Sequence, residues 1–147
     1  MKRVLVIQGA GMDQRGKVQV DIFGPETLAE INAQIERHGA RLGLDVEIFQ
    51  SNDATEVCAK LNAARGKFAA LIINPAGFTV MEGPLPNAIV QLGFPAYEVH
   101  ASNPSARGIR SVIQPVCKGA ICGFGYRGYA MALAAIKELP VAAPDSP

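Results

Sequence analysis

Residues 94–103 (FPAYEVHASN) combine a short apolar strand pattern with polar groups at its C-terminal end. In open α/β sheets, ligands bind at that edge of the strands. His100 stands there, and an imidazole can donate or accept a proton near neutral pH. The alternative interpretation is a histidine whose ring only satisfies a backbone carbonyl. This segment by itself leaves both interpretations open.

The elements that would position His100 form an alternating pattern along the chain. Strand patterns occur at residues 3–8, 45–50 and 68–73, in the segment that leads to His100, and at residues 118–122. Helical spacing or helix-start signals lie between them, from Pro25, from Asp53, over 86–92 and over 129–139. Short connections between such elements predict a parallel sheet with helices on both faces. Five strands favour an α/β flavodoxin-like fold, a three-layer sandwich with strand order 2-1-3-4-5.

That strand order would bring three separate positions to one crevice. Strands one, three and four lie side by side, so the glycine loop after Gln8 would meet Asn74 and His100 at the switch point of the sheet. We expect the third strand to stop at Asn74, because Pro75 cannot continue a central ladder. Residues 12–19 are polar and glycine-interrupted, which is typical of a mobile lid over a site.

Length and composition predict one domain over residues 1–140, followed by a proline- and alanine-rich tail, 141–147, that we expect to be disordered. A formal net charge of +1 gives no reason to expect nucleic acid or a membrane surface as a partner. No apolar run approaches the ~18–20 residues that span a bilayer, and the N-terminus leads directly into a strand, so we expect a cytoplasmic protein. Three cysteines without metal-ligand spacing predict buried free thiols and no metal site.

One glycine motif suggests a cofactor and is not supported by its context. Residues 123–128 (GFGYRG) fit the dinucleotide pattern G-x-G-x-x-G. No strand follows to complete the βαβ unit, and no acidic residue is available for a ribose. We prefer a structural role, a tight turn with close helix packing. The first loop lacks the Walker spacing and the hydroxyl residues of a flavin site, so no cofactor is predicted.

The chain resembles the type II 3-dehydroquinate dehydratases along nearly its whole length. The resemblance rests on residues 4–7 (VLVI) before a glycine loop, 49–52 (FQSN), 72–75 (IINP), 98–103 (EVHASN) and 118–125 (KGAICGFG). It implies the same flavodoxin-like fold, a substrate of the shikimate or quinate pathway and no cofactor. It also implies a homo-dodecamer built as a tetramer of trimers.

In that family a tyrosinate removes a proton beside a ketone, an arginine keeps the tyrosine ionised, and a histidine protonates the leaving hydroxyl. The resemblance assigns the general acid to His100, with Glu98 as its orienting partner. It assigns Asn74 to the substrate or to a water near the enolate. Ala101 and Ser102 match the segment that holds the substrate carboxylate.

The departures from the family pattern are concentrated on the base. Phe23 stands where the family has its catalytic tyrosine, and Val18 stands at the position of the lid arginine. Asp13 replaces a neutral amide in the glycine loop, where we expect it to face the substrate. Val80 replaces a histidine, and Arg110 is the candidate for the family's substrate-binding arginine.

These departures leave two hypotheses. The first is a diverged enzyme with a pocket for a small carboxylate, which uses His100 together with Asp13 or Glu82 as a replacement base. The second is a non-catalytic binding or assembly subunit, in which both carboxylates are merely solvated loop charges. On sequence alone, Phe23→Tyr should help little without Val18→Arg, and His100→Ala should leave folding nearly intact.

Overall fold

Five parallel strands form one sheet in the order β2-β1-β3-β4-β5, which confirms the predicted flavodoxin-like topology. The strands are β1 (Arg3–Ala10), β2 (Asp45–Gln50), β3 (Ala70–Ala76), β4 (Ala96–His100) and β5 (Gly119–Cys122). The helices are α1 (Val20–Phe23), α2 (Leu28–Arg41), α3 (Ala54–Ala64), α4 (Pro84–Val90) and α5 (Arg127–Glu138). The computed structural model describes residues 1–140, and the tail 141–147, for which we predict disorder, lies outside the described residues.

The central strand β1 separates two layers of core packing. Val4 and Val6 face one layer, where they join buried side chains of α2 and α5. Leu5 and Ile7 face the other layer, where they join buried side chains of α3 and α4. Because successive side chains of a strand point to opposite faces, one continuous apolar run supplies both cores. Because both of its faces are buried, β1 is the central strand against which β2 and β3 pair.

Two helix starts differ in detail from the sequence prediction. Helix α2 begins at Leu28 rather than at Pro25, because Thr27 and Glu30 form a complete capping box. Asp53 does cap α3, through a 2.8 Å hydrogen bond that its carboxylate accepts from the Thr55 amide. Helices α4 and α5 each begin two residues before the predicted position.

The prediction that β3 stops at Asn74 is wrong, because the strand continues through Pro75 to Ala76. Pairing between β3 and β4 ends at Ile73, whereas pairing between β3 and β1 extends to Ala76. Pro75 therefore lies where β3 has a neighbour on one side only, and a proline is tolerated at such a position. Ala76 has φ of 47°, a left-handed conformation that is uncommon for a residue with a Cβ and is found at ligand sites.

Gly9 is required by the close approach of β1 to β3. A Cβ at this position would lie 2.1 Å from the Pro75 carbonyl oxygen, far inside contact distance. Gly9→Ala should therefore lower the free energy of unfolding by about 1–3 kcal/mol, the usual range for overpacking. Gly119→Ala on β5 is the matched control, because its Cβ would meet no atom within 4 Å. Equal urea midpoints for the two variants would contradict this account of the Gly9 contact.

No helix among residues 1–140 is long and apolar enough to cross a membrane. Within the same residues, no cluster of three or more His, Cys, Asp or Glu side chains could hold a metal ion.

Cys58, Cys117 and Cys122 are free thiols, each partly exposed. Burial and the nearby Glu98 raise the pKa of Cys117 to about 12, so this thiol is protonated at neutral pH.

Candidate active site

A cavity of about 530 Å³ opens where β1, β3 and β4 end. Gly11 follows β1, Asn74 lies in β3 and His100 ends β4, and all three line the cavity. The expected convergence of these three positions is therefore present in the structure. The volume suits a small organic molecule. The cavity lies at the C-terminal edge of the sheet, where α/β proteins of this topology bind ligands.

His100 is held by a buried carboxylate. Its Nε2 lies 2.6 Å from Oε2 of Glu98, and the same oxygen accepts a 2.7 Å hydrogen bond from the Ser111 hydroxyl. Glu98 is fully buried, and its second oxygen, Oε1, has no hydrogen-bond partner among residues 1–140. The carboxylate fixes the ring through one nitrogen, which leaves Nδ1 as the nitrogen available for proton exchange. Nε2 of His100 is thus bonded to a side-chain carboxylate and not to a backbone carbonyl, as the alternative interpretation proposed.

Asn74 is oriented by a buried polar network. Its Nδ2 donates to the Tyr129 hydroxyl at 3.0 Å, and that hydroxyl donates to Oε1 of Gln8 at 2.6 Å. Its Oδ1 accepts from the Ala76 amide at 3.1 Å. These bonds use part of the amide's capacity, so a donor hydrogen and an acceptor lone pair of Asn74 remain for a ligand. Burial raises the pKa of Tyr129, so this phenol stays neutral.

Ala101 and Ser102 follow β4 and line the cavity beside His100. The Ser102 hydroxyl accepts a 2.9 Å hydrogen bond from Arg107, which also lines the cavity. Arg107 comes from a short 3₁₀ turn, Pro104–Arg107, within a segment that carries no periodic pattern. The hydroxyl and the guanidinium together form a cationic corner at this end of the cavity. The sequence predicts the hydroxyl at this site but not the guanidinium.

Arg15 is a second cation in the cavity that sequence analysis missed. Its guanidinium carbon lies 3.9 Å from the centroid of the Phe23 ring, and the residue is 8% exposed. Arg15 precedes Val18 by three residues, and a 3₁₀ turn at Met12–Gln14 directs this loop inward. The sequence does contain one indication of it, an arginine about one turn before Val18, which stands at the position of the family's lid arginine. Because loop residues lack a period, spacing alone did not show which side chain enters the cavity.

Three predicted residues lie away from the cavity. The Asp13 carboxylate accepts a 3.2 Å hydrogen bond from the Asn52 amide, and Asp13 is absent from the cavity wall. Glu82 and Arg110 are exposed, and neither lines the cavity. Among the described residues that form the wall, none is Asp or Glu. The structure therefore brings together His100, Glu98, Asn74, Ala101 and Ser102, and it leaves out Asp13, Glu82 and Arg110.

Fold and cavity together define an α/β protein of flavodoxin-like topology with a histidine–carboxylate pair at its ligand edge. Residues 2–137 match the sequence profile of the family described as Dehydroquinase class II. The 3-dehydroquinate dehydratase of Desulforudis audaxviator is 42% identical over 140 residues, which cover 93% of each chain. That of Caldanaerobacter subterraneus is 42% identical over 142 residues, covering 95% of this chain and 96% of the relative.

Solved structures agree with this assignment. The crystal structure of a type II dehydroquinase from Propionibacterium acnes superposes with a TM-score of 0.89 at 31% identity, covering 93% of this chain and 97% of that one. A 3-dehydroquinate dehydratase-like protein from Bifidobacterium longum superposes with a TM-score of 0.72, also at 31% identity, covering 93% of this chain and 96% of that one. The chain belongs to the type II 3-dehydroquinate dehydratase family, a family of lyases.

Proposed function

We propose that this chain binds a small carboxylate in the cavity and has diverged from the family reaction at the catalytic base. The observation that carries the proposal is the composition of the cavity wall. His100 lines the cavity and Glu98 is buried behind it, while position 23 is a phenylalanine and the described residues of the wall include no Asp or Glu. These contacts support a general-acid role for His100 and do not support a residue that removes the proton.

The remaining roles follow from the contacts and from the family pattern. Glu98 orients the His100 ring through Nε2, so Nδ1 is the nitrogen that would protonate a departing hydroxyl if a base removed the proton from carbon. The backbone of Ala101 and the hydroxyl of Ser102 hold the ligand carboxylate. Asn74 uses its remaining donor and acceptor for the ligand or for a water molecule. No cofactor is implied by the family resemblance for any of these steps.

The described residues near the cavity offer no evident replacement for the base. Burial raises the pKa of Tyr129 and that of Tyr126, so neither phenol ionises readily at neutral pH. Asp13 and Glu82 lie outside the wall. The loss of a general base typically costs 10²–10⁴-fold in rate. Dehydration of 3-dehydroquinate by the unmodified chain should be slow for this reason.

The alternative function is a non-catalytic binding or assembly subunit that retains the dehydratase fold. The missing base supports this alternative as well, because ligand binding needs the cationic corner of Ser102 and Arg107 but does not need a residue that removes a proton. Sustained turnover of any carboxylate by the purified chain, abolished when His100 is replaced, would exclude this alternative.

Carboxylate binding is tested by thermal stabilisation with benzoate and with quinate. A ligand at 100 times its Kd stabilises a one-site protein by about 2.7 kcal/mol, which is readily seen as a rise in Tm. Ser102→Ala should reduce the rise, because the ligand loses a hydroxyl donor. Ser105→Ala is the matched control, since Ser105 is exposed and does not line the cavity. A panel of small carboxylates without any rise in Tm would contradict the proposal.

We also propose a dodecamer of four trimers in the cytoplasm, on the basis of the family resemblance. Exposed apolar side chains support association, since Val80, Val90 and Phe124 are each more than half exposed in the isolated chain. Sedimentation velocity at micromolar concentration should therefore give a mass far above that of one 15.5 kDa chain. A monomer at that concentration would contradict the proposed assembly.

A further inference from the structure

The Arg15 guanidinium is a buried charge without a protein counter-ion. The residue is 8% exposed, and among residues 1–140 no carboxylate forms an ion pair with it. Its Nε atom has no hydrogen-bond partner in the part of the chain that the structure describes. Burial raises the pKa of the nearby Tyr126, and the Arg15 guanidinium beside that neutral hydroxyl acts against the rise. Within residues 1–140, Glu26 forms no ion pair with Arg15. Burial of an unpaired charge is costly, so such groups in proteins normally have a partner.

The cavity gives a ligand access to Arg15. Arg15 lines the cavity and lies over the Phe23 ring, and Arg107 lies 5.8 Å from the centroid of the same ring. Both guanidinium groups are therefore within reach of one small ligand that rests against Phe23. The wall offers no Asp or Glu to either cation. Two negatively charged groups of one ligand would neutralise the two guanidinium groups.

We propose that Arg15 forms a second anion subsite, so that the natural ligand carries two negative groups rather than one. This inference rests on the proposed carboxylate pocket, in which Ser102 and Arg107 hold the first group. The second group is a carboxylate bound by the Arg15 guanidinium, whose planar fork of donors suits a bidentate carboxylate contact. A dicarboxylate would thereby neutralise the cation that the fold leaves unpaired.

The apolar residues of the cavity wall indicate what joins the two groups. Val18, Ile22, Val80 and Ile109 line the cavity and present alkyl side chains, and Phe23 adds a ring face. Such a surface offers no hydrogen-bond partner to hydroxyl groups of a ligand. The ligand is therefore a small dicarboxylate with an apolar ring or chain between its acid groups.

The test compares dicarboxylates with a monocarboxylate of the same ring, by isothermal titration calorimetry. Isophthalate and terephthalate differ in the spacing of their two acid groups, and benzoate lacks the second group. At least one dicarboxylate should bind the unmodified chain roughly 10- to 100-fold more tightly than benzoate, the usual gain from a charge-assisted pair of hydrogen bonds. Arg15→Gln should abolish this preference, so that the dicarboxylates bind no more tightly than benzoate. Arg110→Gln is the matched control, because Arg110 is an exposed arginine outside the cavity.

A second readout separates ligand binding from a structural role of Arg15. If the Arg15 charge is compensated only when a ligand is bound, it does not stabilise the ligand-free protein. Arg15→Gln should then leave the Tm of the ligand-free protein unchanged or raised. A lowered Tm together with an intact dicarboxylate preference would assign Arg15 to the fold and overturn the subsite. Equal affinity for benzoate and both dicarboxylates would overturn the subsite and leave the carboxylate pocket standing. Binding of none of the three would overturn the pocket and the subsite together.

Discussion

Phe23→Tyr should increase the dehydration of 3-dehydroquinate by roughly 10²- to 10⁴-fold over the unmodified chain. The change places a phenol at the position of the family's base, in the same cavity as His100. A phenol alone has a pKa near 10 and is mostly protonated at neutral pH. A positive charge within a few ångströms favours the phenolate, and the Arg15 guanidinium lies 3.9 Å from the centroid of the ring at position 23.

The position of Arg15 revises the expectation from sequence. The sequence predicts that Phe23→Tyr needs Val18→Arg, because the lid arginine is missing. With Arg15 already beside the ring, adding Val18→Arg to Phe23→Tyr should change the rate little, whereas adding Arg15→Gln should remove most of the gain. The effect of Phe23→Tyr and Arg15→Gln together on the rate should differ from the sum of their single effects, because the two side chains act on one proton.

Initial rates measured between pH 6 and pH 10 test this prediction. In Phe23→Tyr the rate should rise with pH at a lower midpoint than in the variant that also carries Arg15→Gln, because Arg15 stabilises the phenolate. Phe23→Leu is the control for loss of the ring without gain of a base. Efficient turnover by the unmodified chain, lost on replacement of His100, would show that another residue already serves as the base.

His100→Ala should lower the free energy of unfolding by about 3–5 kcal/mol, the usual cost of removing one partner of a buried pair. This differs from the sequence expectation that folding stays nearly intact. Glu98 is fully buried, its Oε1 is already unpartnered, and the change would leave it with the Ser111 hydroxyl alone. Without His100, the buried carboxylate would lose most of the interactions that offset the cost of its removal from water.

Urea unfolding of a double-mutant cycle tests the pair. Glu98→Ala combined with His100→Ala should cost less than the sum of the two single changes, because no unpaired partner remains. His100→Gln should be milder than His100→Ala, since its amide can still donate to Glu98. Additive single effects would show that the two side chains do not stabilise each other.

The sequence by itself determined the sheet and the positions at its edge. The apolar run in β1 supplies both layers of the core, and one strand order satisfies five strands joined by short crossovers. In a strand the side-chain direction alternates with a period of two, so a residue's place in the strand fixes its surroundings. His100 in β4 and Asn74 in β3 could therefore be assigned to one crevice before the structure was known.

The tertiary structure alone decided which loop side chains enter the cavity. Asp13 and Arg15 are two residues apart, yet Asp13 bonds to Asn52 while Arg15 lies over Phe23. Arg110 faces solvent, whereas Arg107, three residues earlier, bonds to Ser102. Left-handed residues and 3₁₀ turns set these directions, together with contacts to residues distant in sequence. Because loops have no repeating side-chain direction, the cations of this site could not be derived from residue spacing.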